Sequence, residues 1–500
     1  MRRAGRQVDI VMWDNAATLH LAPGGVESAS IESGKKFAGS TCGGSGDRIA
    51  TQWRILMKQV TRELARAIRQ SRHEDLPKAV RHEAARALLN WCGCAIGGSR
   101  HETVQNALAA VLPFAGAKQA GILGRRERMD ILNAALINGI SSHVLDFDDT
   151  QAEAIHPSSP VWPVLLALAE WRGATGAELA HAFVVGVEVE CRIGRSVFPD
   201  HYDRGWHITG TAGVFGAAAA AGKLLQLNEQ QMTWALGIAA TQSAGLREMF
   251  GSMCKCFHPG RAAQNGLHAA LLAQQNFTSS ECSIEAPRGF GHVLSTRFDP
   301  DVITADWGGP FELSSNMYKP FACGLVVHGV IDGCIQLRGE HAIEPEMIEK
   351  INLKVSSIVL ELTGKMNPQT GLEGKFSVFH AAAVAMIHGA AGEAQFSDAC
   401  ARAPDVVGLR KKVSAAVDQS LLWTQAHVSI RLKGGRILER HVTHPLGSRE
   451  RPMSDADLGA KFCQLTNGIL SPRQSEELAQ MCWRLTELSD AGAIVRAGTA

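Results

Sequence analysis

Apolar residues recur every three or four positions along much of the chain between about residue 50 and residue 315, which is the spacing of amphipathic helices. One such series comprises Val80, Ala84, Ala87, Leu88 and Trp91. The preceding Asp75-Leu76-Pro77 is typical of a helix start, with an acidic N-cap and an early proline. The pattern therefore predicts that this part of the chain is built from helices.

Further helices are predicted to begin at Asp130 and to cover residues 176–193 and 211–225. The helix that begins at Asp130 leads the chain directly to Asp146. The other two are rich in alanine and glycine, and small side chains let helix backbones approach closely. We therefore expect a compact helical bundle.

The pattern changes after about residue 317, where runs of β-branched and aliphatic residues appear. Residues 351–362 predict a strand, and residues 376–387 predict a helix. Apolar and polar residues alternate over residues 428–432, and Lys433-Gly434-Gly435-Arg436 predicts a hairpin turn into a returning strand. This part of the chain is predicted to be α+β.

Helical spacing resumes after Pro452, where Ser454 and Ser471 each begin a predicted capping box. The predicted fold class is mainly α. We expect a large discontinuous all-helical domain over residues 51–316 and 453–500, with an inserted smaller α+β lid domain over residues 317–452. Residues 1–50 mix glycine, serine, threonine and charges with little periodicity, and are predicted to be a disordered extension.

The composition is that of an ordinary globular protein. Hydrophobic residues make up 45% of the 500 residues, and 50 basic against 49 acidic residues give a formal net charge of +1. This balance favours neither nucleic acid nor an anionic membrane as a partner. No apolar run approaches the ~18 residues that span a bilayer. The twelve scattered cysteines predict reduced thiols, so we expect a cytoplasmic protein, with a mitochondrial location left open.

Asp146, Asp148 and Asp149 lie within four residues, directly after a predicted helix. Crowded carboxylates repel one another, which raises the pKa of at least one and makes it usable as a general acid or base. A solvated acidic turn would have the same composition. The same residues, with Thr150, also fit the D-x-D-x-T motif of Mg-dependent phosphatases. That motif requires a hydrophobic strand before Asp146, where the sequence predicts a helix.

Two histidines and two lysines stand in unusual settings. His156 precedes proline on a stiffened loop, and His207 follows Gly205-Trp206 just before an alanine-rich helix. Lys255 and Lys319 are flanked by apolar residues, cysteine and proline, so their ammonium groups are candidates to bind carboxylates of a substrate. A metal site at Cys254, Cys256 and His258 is a weaker interpretation, because a second ligand pair at zinc spacing is missing.

In their order along the chain, these motifs resemble the MmgE/PrpD family, which includes 2-methylcitrate dehydratases, cis-aconitate decarboxylases and an iminodisuccinate epimerase. The resemblance covers about residues 50–490. The matching motifs are Leu145-Asp146-Phe147-Asp148-Asp149-Thr150, His156-Pro157-Ser158, Gly205-Trp206-His207, Lys255 before His258-Pro259-Gly260, Lys319-Pro320-Phe321, and Thr370-Gly371-Leu372-Glu373-Gly374-Lys375-Phe376-Ser377.

The resemblance implies a homodimer whose chemistry uses no metal and no organic cofactor. It implies active-site roles for the matching residues, among them Thr150, which we predict to bind substrate together with Lys375. The predicted catalytic residues are Asp146, His156, His207, Lys255 and Lys319. In its decarboxylase branch the family also uses a tyrosine in the segment matching residues 359–365, where this sequence has none.

The sequence therefore predicts a lyase that removes water or CO2 from a small di- or tricarboxylic acid, such as 2-methylcitrate or cis-aconitate. An epimerase of a dicarboxylate such as iminodisuccinate would use the same site with two bases. A Mg-dependent phosphatase and a non-catalytic helical scaffold also remain open at this point.

Overall fold

Helices form most of the described chain, as the apolar spacing predicts. A computed structural model describes residues 59–151 and 155–500, and the extension predicted for residues 1–50 lies outside the described residues. The helices of the first part are α1 (Val60–Gln70), α2 (Lys78–Gly98), α3 (Glu102–Val111), α4 (Ile131–His143), α5 (Ser158–Arg172), α6 (Gly176–Val197), α7 (Asp200–Asp203), α8 (Ile208–Thr211), α9 (Gly213–Leu224), α10 (Glu229–Ala240), α11 (Cys254–Gln274), α12 (Phe290–Leu294) and α13 (Asp301–Thr304).

Strands and shorter helices alternate in the second part of the chain. The helices there are α14 (His328–His341), α15 (Ser357–Thr363), α16 (Gly371–Gly374), α17 (Val378–His388), α18 (Asp398–Arg402), α19 (Pro404–Arg410), α20 (Asp455–Thr466), α21 (Pro472–Trp483) and α22 (Ala493–Ala497). The strands of the whole described chain are β1 (Ala120–Gly121), β2 (Arg128–Met129), β3 (Ile348–Val355), β4 (Val413–Val417), β5 (Ala426–Leu432) and β6 (Ile437–Val442). The fold class is mainly α with a smaller α+β part, as the sequence predicts.

Small residues set the distance between the long helices of the first part. α11 packs against α4, α9 and α10, and α9 also packs against α6. A Cβ atom on Gly139 of α4 would lie 2.6 Å from the Cα of Gly260 on α11. Such a contact leaves no room for a side chain, so glycine is required where these two helices cross. The expectation of closely packed helices is confirmed.

The larger sheet lies in the second part and has the strand order β4-β3-β5-β6. β3 is parallel to β4 and antiparallel to β5, and the predicted hairpin joins β5 to β6. The hairpin turn uses Gly434 and Gly435, both with positive φ, which glycine adopts without strain. α14 packs against β5 and β6, and α17 packs against β4. The buried positions of β5 alternate with less buried ones, which is typical of a sheet covered on one face.

Two local predictions are wrong. Residues 351–362 do not form one strand, because β3 ends at Val355 and α15 begins at Ser357. A short apolar run fits a strand and a buried helix equally well, and here it contains both. Asp75 is not the N-cap of α2, because it belongs to a 3-10 turn and Pro77 occupies the N-cap position.

The last long helices return to the first part of the chain. α20 and α21 both pack against α2, and each begins with the capping box predicted at Ser454 or Ser471. The boundaries of the helical domain and of the lid domain stay predictions. None of the helices within residues 59–151 and 155–500 is both long enough and apolar enough to cross a membrane.

Candidate active site

The acidic segment is held in place by a helix on one side and a short bridge on the other. Asp130 caps α4, as predicted, by accepting a hydrogen bond from the backbone N–H of Asn133. Beyond the end of α4, Asp146 has a φ of 50°, a left-handed conformation that aspartate tolerates better than most residues. Thr150 and Met317 exchange backbone hydrogen bonds of 2.9 Å. This bridge brings the segment that carries Lys319 beside Asp146.

One carboxylate oxygen binds both predicted lysines. Oδ1 of Asp146 lies 2.9 Å from Nζ of Lys255 and 2.6 Å from Nζ of Lys319, and all three side chains are buried. Nζ of Lys319 also donates to the backbone carbonyl of Asp146. Burial alone would raise the pKa of Asp146, but the two ammonium groups outweigh it and hold this pKa well below its usual range. Asp146 is therefore an anion that orients two cations.

The two lysines differ in their environments. Burial opposes the charge of both ammonium groups, and for Lys255 it prevails and lowers the pKa. For Lys319 the attraction of Asp146 and Asp148 outweighs burial and raises the pKa. Lys255 lies in the first turn of α11, where its ammonium group is 5.4 Å from the ring centre of Phe250.

His156 is held as a neutral base. Its Nδ1 donates to the backbone carbonyl of Asp149 at 2.8 Å, and a carbonyl oxygen can only accept. Burial lowers the pKa of His156 well below its usual value, and the positive charges of Lys319 and Lys255 lower it further, against the attraction of Asp148. In the neutral ring Nδ1 carries the proton, so Nε2 is left as the basic nitrogen.

His207 forms a pair with a second histidine. Its Nδ1 lies 2.9 Å from Nδ1 of His258, so one ring must donate and the other must accept. Burial, the neighbouring His258 and Lys255 together lower the pKa of His207 well below its usual value. When His258 is the donor, Nε2 of His207 carries a proton and can act as an acid. The tautomer of His258 thus selects whether His207 is an acid or a base.

The two other aspartates, Asp148 and Asp149, form hydrogen bonds with neighbouring side chains and do not line the cavity. Asp148 accepts from Nδ1 of His143 at 2.7 Å and from the hydroxyl of Ser159 at 2.6 Å. Burial would raise the pKa of Asp148, but its interactions with His143, His156 and Lys319 outweigh burial and lower this pKa. Burial raises the pKa of Asp149 to about 7, and the charge of Asp148 is a smaller cause. The prediction that the pKa of one of these carboxylates is raised is correct. The main cause is burial rather than repulsion between the carboxylates.

The predicted residues meet at one cavity of about 260 Å³. Six of the seven predicted site residues line it, and they are Asp146, Thr150, His156, His207, Lys255 and Lys319. The seventh, Lys375, is placed differently: its Nζ donates to the backbone carbonyls of Leu145 and Ala322 at 2.7 and 2.8 Å. Lys375 fixes the backbone before Asp146, and its predicted contact with substrate stays a prediction.

Sequence reasoning missed several residues of this region. Lys461 on α20 donates to the backbone carbonyls of Phe147 and Lys319, so a helix near the end of the chain holds both sides of the site. His143 supports Asp148, and its Nε2 has no hydrogen-bond partner among the described residues. Lys461 lies in no recognisable motif. His143 could have been predicted, because it lies three residues before Asp146 on the helix that leads to it.

Two groups of side chains have the donor atoms that a metal would need. Within the described residues, the ligand atoms of His143, His156 and His207 lie within 4.8 Å of one another, and so do those of His143, Asp146 and Asp148. The ammonium groups of Lys255 and Lys319 lie beside both groups and repel a cation. The weaker interpretation of Cys254, Cys256 and His258 as a metal site receives no support, because Cys254 is exposed and His258 pairs with His207.

The phosphatase interpretation does not fit the structure either. It requires a strand before Asp146, and the preceding element is helix α4. It also requires a first aspartate that is open to a phosphate and Mg²⁺, whereas both lysines already bind the Asp146 carboxylate. The D-x-D-x-T match is therefore a coincidence of spacing.

Known proteins resemble this chain over most of its length. The model of the MmgE/PrpD N-terminal domain matches residues 62–303, and the model of the MmgE/PrpD C-terminal domain matches residues 321–485. The cis-aconitate decarboxylase of Aspergillus terreus is 26% identical over 450 residues, covering 83% of this chain and 91% of that protein. The cis-aconitate decarboxylase of Homo sapiens is 26% identical over 453 residues, covering 87% and 94%. The cis-aconitate decarboxylase-like protein oryM of Aspergillus oryzae is 25% identical over 460 residues, covering 86% and 95%.

Proposed function

Because this chain belongs to the MmgE/PrpD family, we propose that it is a lyase that removes water or CO2 from a small di- or tricarboxylic acid. The relatives that are named cis-aconitate decarboxylases support a lyase. The observation that carries the proposal is the cavity in which neutral His156 lies beside two ammonium groups that share Asp146. These are the parts that proton transfer next to a carboxylate requires.

Lys255 and Lys319 bind a carboxylate of the substrate. Each ammonium group has three N–H donors, and the hydrogen bonds to Asp146 use one donor of Lys255 and two of Lys319. A proton on a carbon next to a carboxylate is very weakly acidic, because its removal places negative charge on the carboxylate oxygens. The two ammonium groups stabilise that charge in a buried site, where the interaction is stronger than in water.

Proton transfer is assigned to the histidines. In dehydration, Nε2 of His156 takes the proton from the carbon, and Nε2–H of His207 gives a proton to the departing hydroxyl, which leaves as water. In decarboxylation, the electron pair of the broken bond stays on the carbon, and a histidine supplies the proton that this carbon gains. Thr150 orients the substrate. Asp146 positions the lysines, because its own pKa is too low for it to carry a proton.

A panel assay tests this function. The protein is incubated with citrate, 2-methylcitrate, cis-aconitate and iminodisuccinate, and the products are identified by mass spectrometry. We expect loss of one water or one CO2 from at least one acid, unchanged by a chelator. Lys255→Met should lower kcat/KM by about 100-fold, whereas Lys354→Met, which removes an exposed lysine on β3, should not. Equal activity of the two variants would contradict the proposal.

An epimerase is the second candidate, and one observation favours it. The rings of His156 and His207 both line the cavity, with their centres 6.3 Å apart, and both are neutral. Two bases so placed are able to take a proton from one face of a carbon and return it to the other. In D2O, an epimerase introduces deuterium into recovered substrate without loss of water or CO2, and a lyase forms product.

Two further proposals follow from the family and the composition. We propose that the protein is a homodimer, which light scattering during size-exclusion chromatography tests directly. We also propose a cytoplasmic location, because Cys92, Cys94 and Cys334 are buried free thiols, as a reducing compartment favours.

A further inference from the structure

Much of the cavity that holds the predicted catalytic residues is apolar. Ile358 and Leu362 are one helical turn apart on α15 and both line the cavity, together with Leu325 and Val326 from the 3-10 turn before α14. All four side chains are half-buried. Apolar surface that faces a cavity is stabilised when an apolar group of a ligand displaces water from it. We call these four residues the apolar wall.

The formal charges of the side chains that line the cavity sum to zero. Asp146 and Asp203 carry two negative charges, and Lys255 and Lys319 carry two positive charges. His156 adds no charge when it is neutral, and neither does His207. Within residues 59–151 and 155–500, no arginine lines this cavity.

The guanidinium of Arg247, which lies near this cavity, already has two binding partners. It stacks 4.0 Å from the ring centre of Tyr202 and binds Glu361 at 2.6 Å. The cavity therefore offers one cationic position, the pair Lys255 and Lys319. A carboxylate buried anywhere else in it would lack a counter-charge, which is costly.

We propose that the substrate is a dicarboxylic acid that binds both carboxylates at Lys255 and Lys319. It places an alkyl or aryl substituent on the apolar wall, where a tricarboxylic acid carries a further carboxylate. This inference rests on the proposed lyase function and names the class of acid on which it acts. The absence of a tyrosine from residues 359–365 fits it, because α15 presents Ile358 and Leu362 to the cavity. Thr363 of the same helix also lines the cavity, but its hydroxyl already donates to the backbone carbonyl of Val359.

Two unreactive acids of matched size test this substrate class. Propane-1,2,3-tricarboxylate and 2-isobutylsuccinate share a succinate core, and they differ by a carboxymethyl group in one and an isobutyl group in the other. Isothermal titration calorimetry should give a Kd at least tenfold lower for 2-isobutylsuccinate. From 2-methylsuccinate to longer alkyl groups, Kd should fall by about fourfold for each added methylene. An equal or lower Kd for the tricarboxylate overturns the inference.

A variant of the apolar wall makes the test specific. Leu362→Arg adds a cation to the wall, so it should weaken binding of 2-isobutylsuccinate and strengthen binding of the tricarboxylate, each by about tenfold or more. Met366→Arg is the matched control, because Met366 is exposed and lies outside the cavity lining. Unchanged affinities in Leu362→Arg would contradict the role of the wall.

The outcomes separate the inference from the proposed function. If the tricarboxylate binds more tightly and Lys255→Met abolishes that binding, the inference fails and the proposed function stands. If none of these acids binds the wild-type protein, both fail.

Discussion

Asp146 uses one carboxylate oxygen to compensate two buried ammonium groups, so its charge supports the stability of the protein as well as its chemistry. A buried ion that loses its partner is strongly destabilising, because neither water nor an opposite charge replaces the lost interaction. This arrangement was not predictable from sequence. Three motifs from distant parts of the chain marked the residues, but nothing in them indicated that the aspartate pairs with both lysines.

Replacement of Asp146 tests this view of the residue. Asp146→Asn should lower the free energy of unfolding by about 3–5 kcal/mol, since two buried cations lose their counter-charge. Urea unfolding of the purified variant measures the change. Asp203→Asn is the control, because Asp203 lies at the same cavity but is exposed. Similar losses for the two variants would contradict the account of Asp146.

Asp149 is expected to make the stability depend on pH in a defined direction. Burial raises its pKa to about 7 in the folded protein, above the value near 4 of an unfolded chain. The folded state therefore binds this proton more tightly than the unfolded state does. The resulting stabilisation is complete below about pH 4 and is lost as the pH rises through about 7.

Asp149→Asn removes this titration. The free energy of unfolding of the wild type minus that of the variant should fall between pH 5 and pH 8. Urea unfolding at a series of pH values gives this difference directly. A difference that stays constant, or rises with pH, would show that Asp149 is already ionised in the folded protein at low pH.

At the scale of elements, helices were predicted well wherever the helical periodicity of apolar residues continued over a long segment and a capping residue was present, as for the helix after Asp130. The segment from β3 to α15 was predicted wrongly, because Ile358 and Val359 are β-branched and their sequence pattern is also typical of a strand. Only the fold reveals the helical arrangement, in which Val359 packs into the core while Ile358 and Leu362 turn to the cavity. The apolar wall was hidden from the sequence for the same reason.

The crossing of α4 and α11 gives a prediction at this scale. Gly139→Ala should destabilise the protein by about 1–3 kcal/mol, because the added methyl group collides with the backbone of Gly260. Gly339→Ala, at an exposed site in α14 with open space around its Cβ, should instead stabilise by about 0.5–1 kcal/mol. Thermal unfolding of the two variants compares them. A stabilising Gly139→Ala would contradict the close approach of the two helices.

At the scale of the whole molecule, the cavity is assembled from both sequence regions. Asp146, His156 and Lys255 come from the helical first part, and Lys319 and the apolar wall come from the region predicted to be a lid. Order along the sequence predicted the members of this site, because the family motifs recur in a fixed order. It could not predict that Lys375 and Lys461 would bind backbone carbonyls around the site rather than the cavity.

If residues 317–452 act as a lid, ligand binding should order them. Hydrogen–deuterium exchange with and without 2-isobutylsuccinate should show slower exchange in α15 and around Leu325, which contact the cavity. Exchange in β6 should stay the same, because β6 is an edge strand of the sheet and does not line the cavity. Protection confined to α4 and α11 would contradict a lid.

The central claim is that neutral His156 moves the proton. The most direct test is the rate at which His156→Gln converts the acid identified in the panel, relative to the wild type, measured by mass spectrometry at saturating substrate. The account predicts that kcat falls by about 100-fold or more, with the melting temperature nearly unchanged. Full turnover by His156→Gln would contradict it.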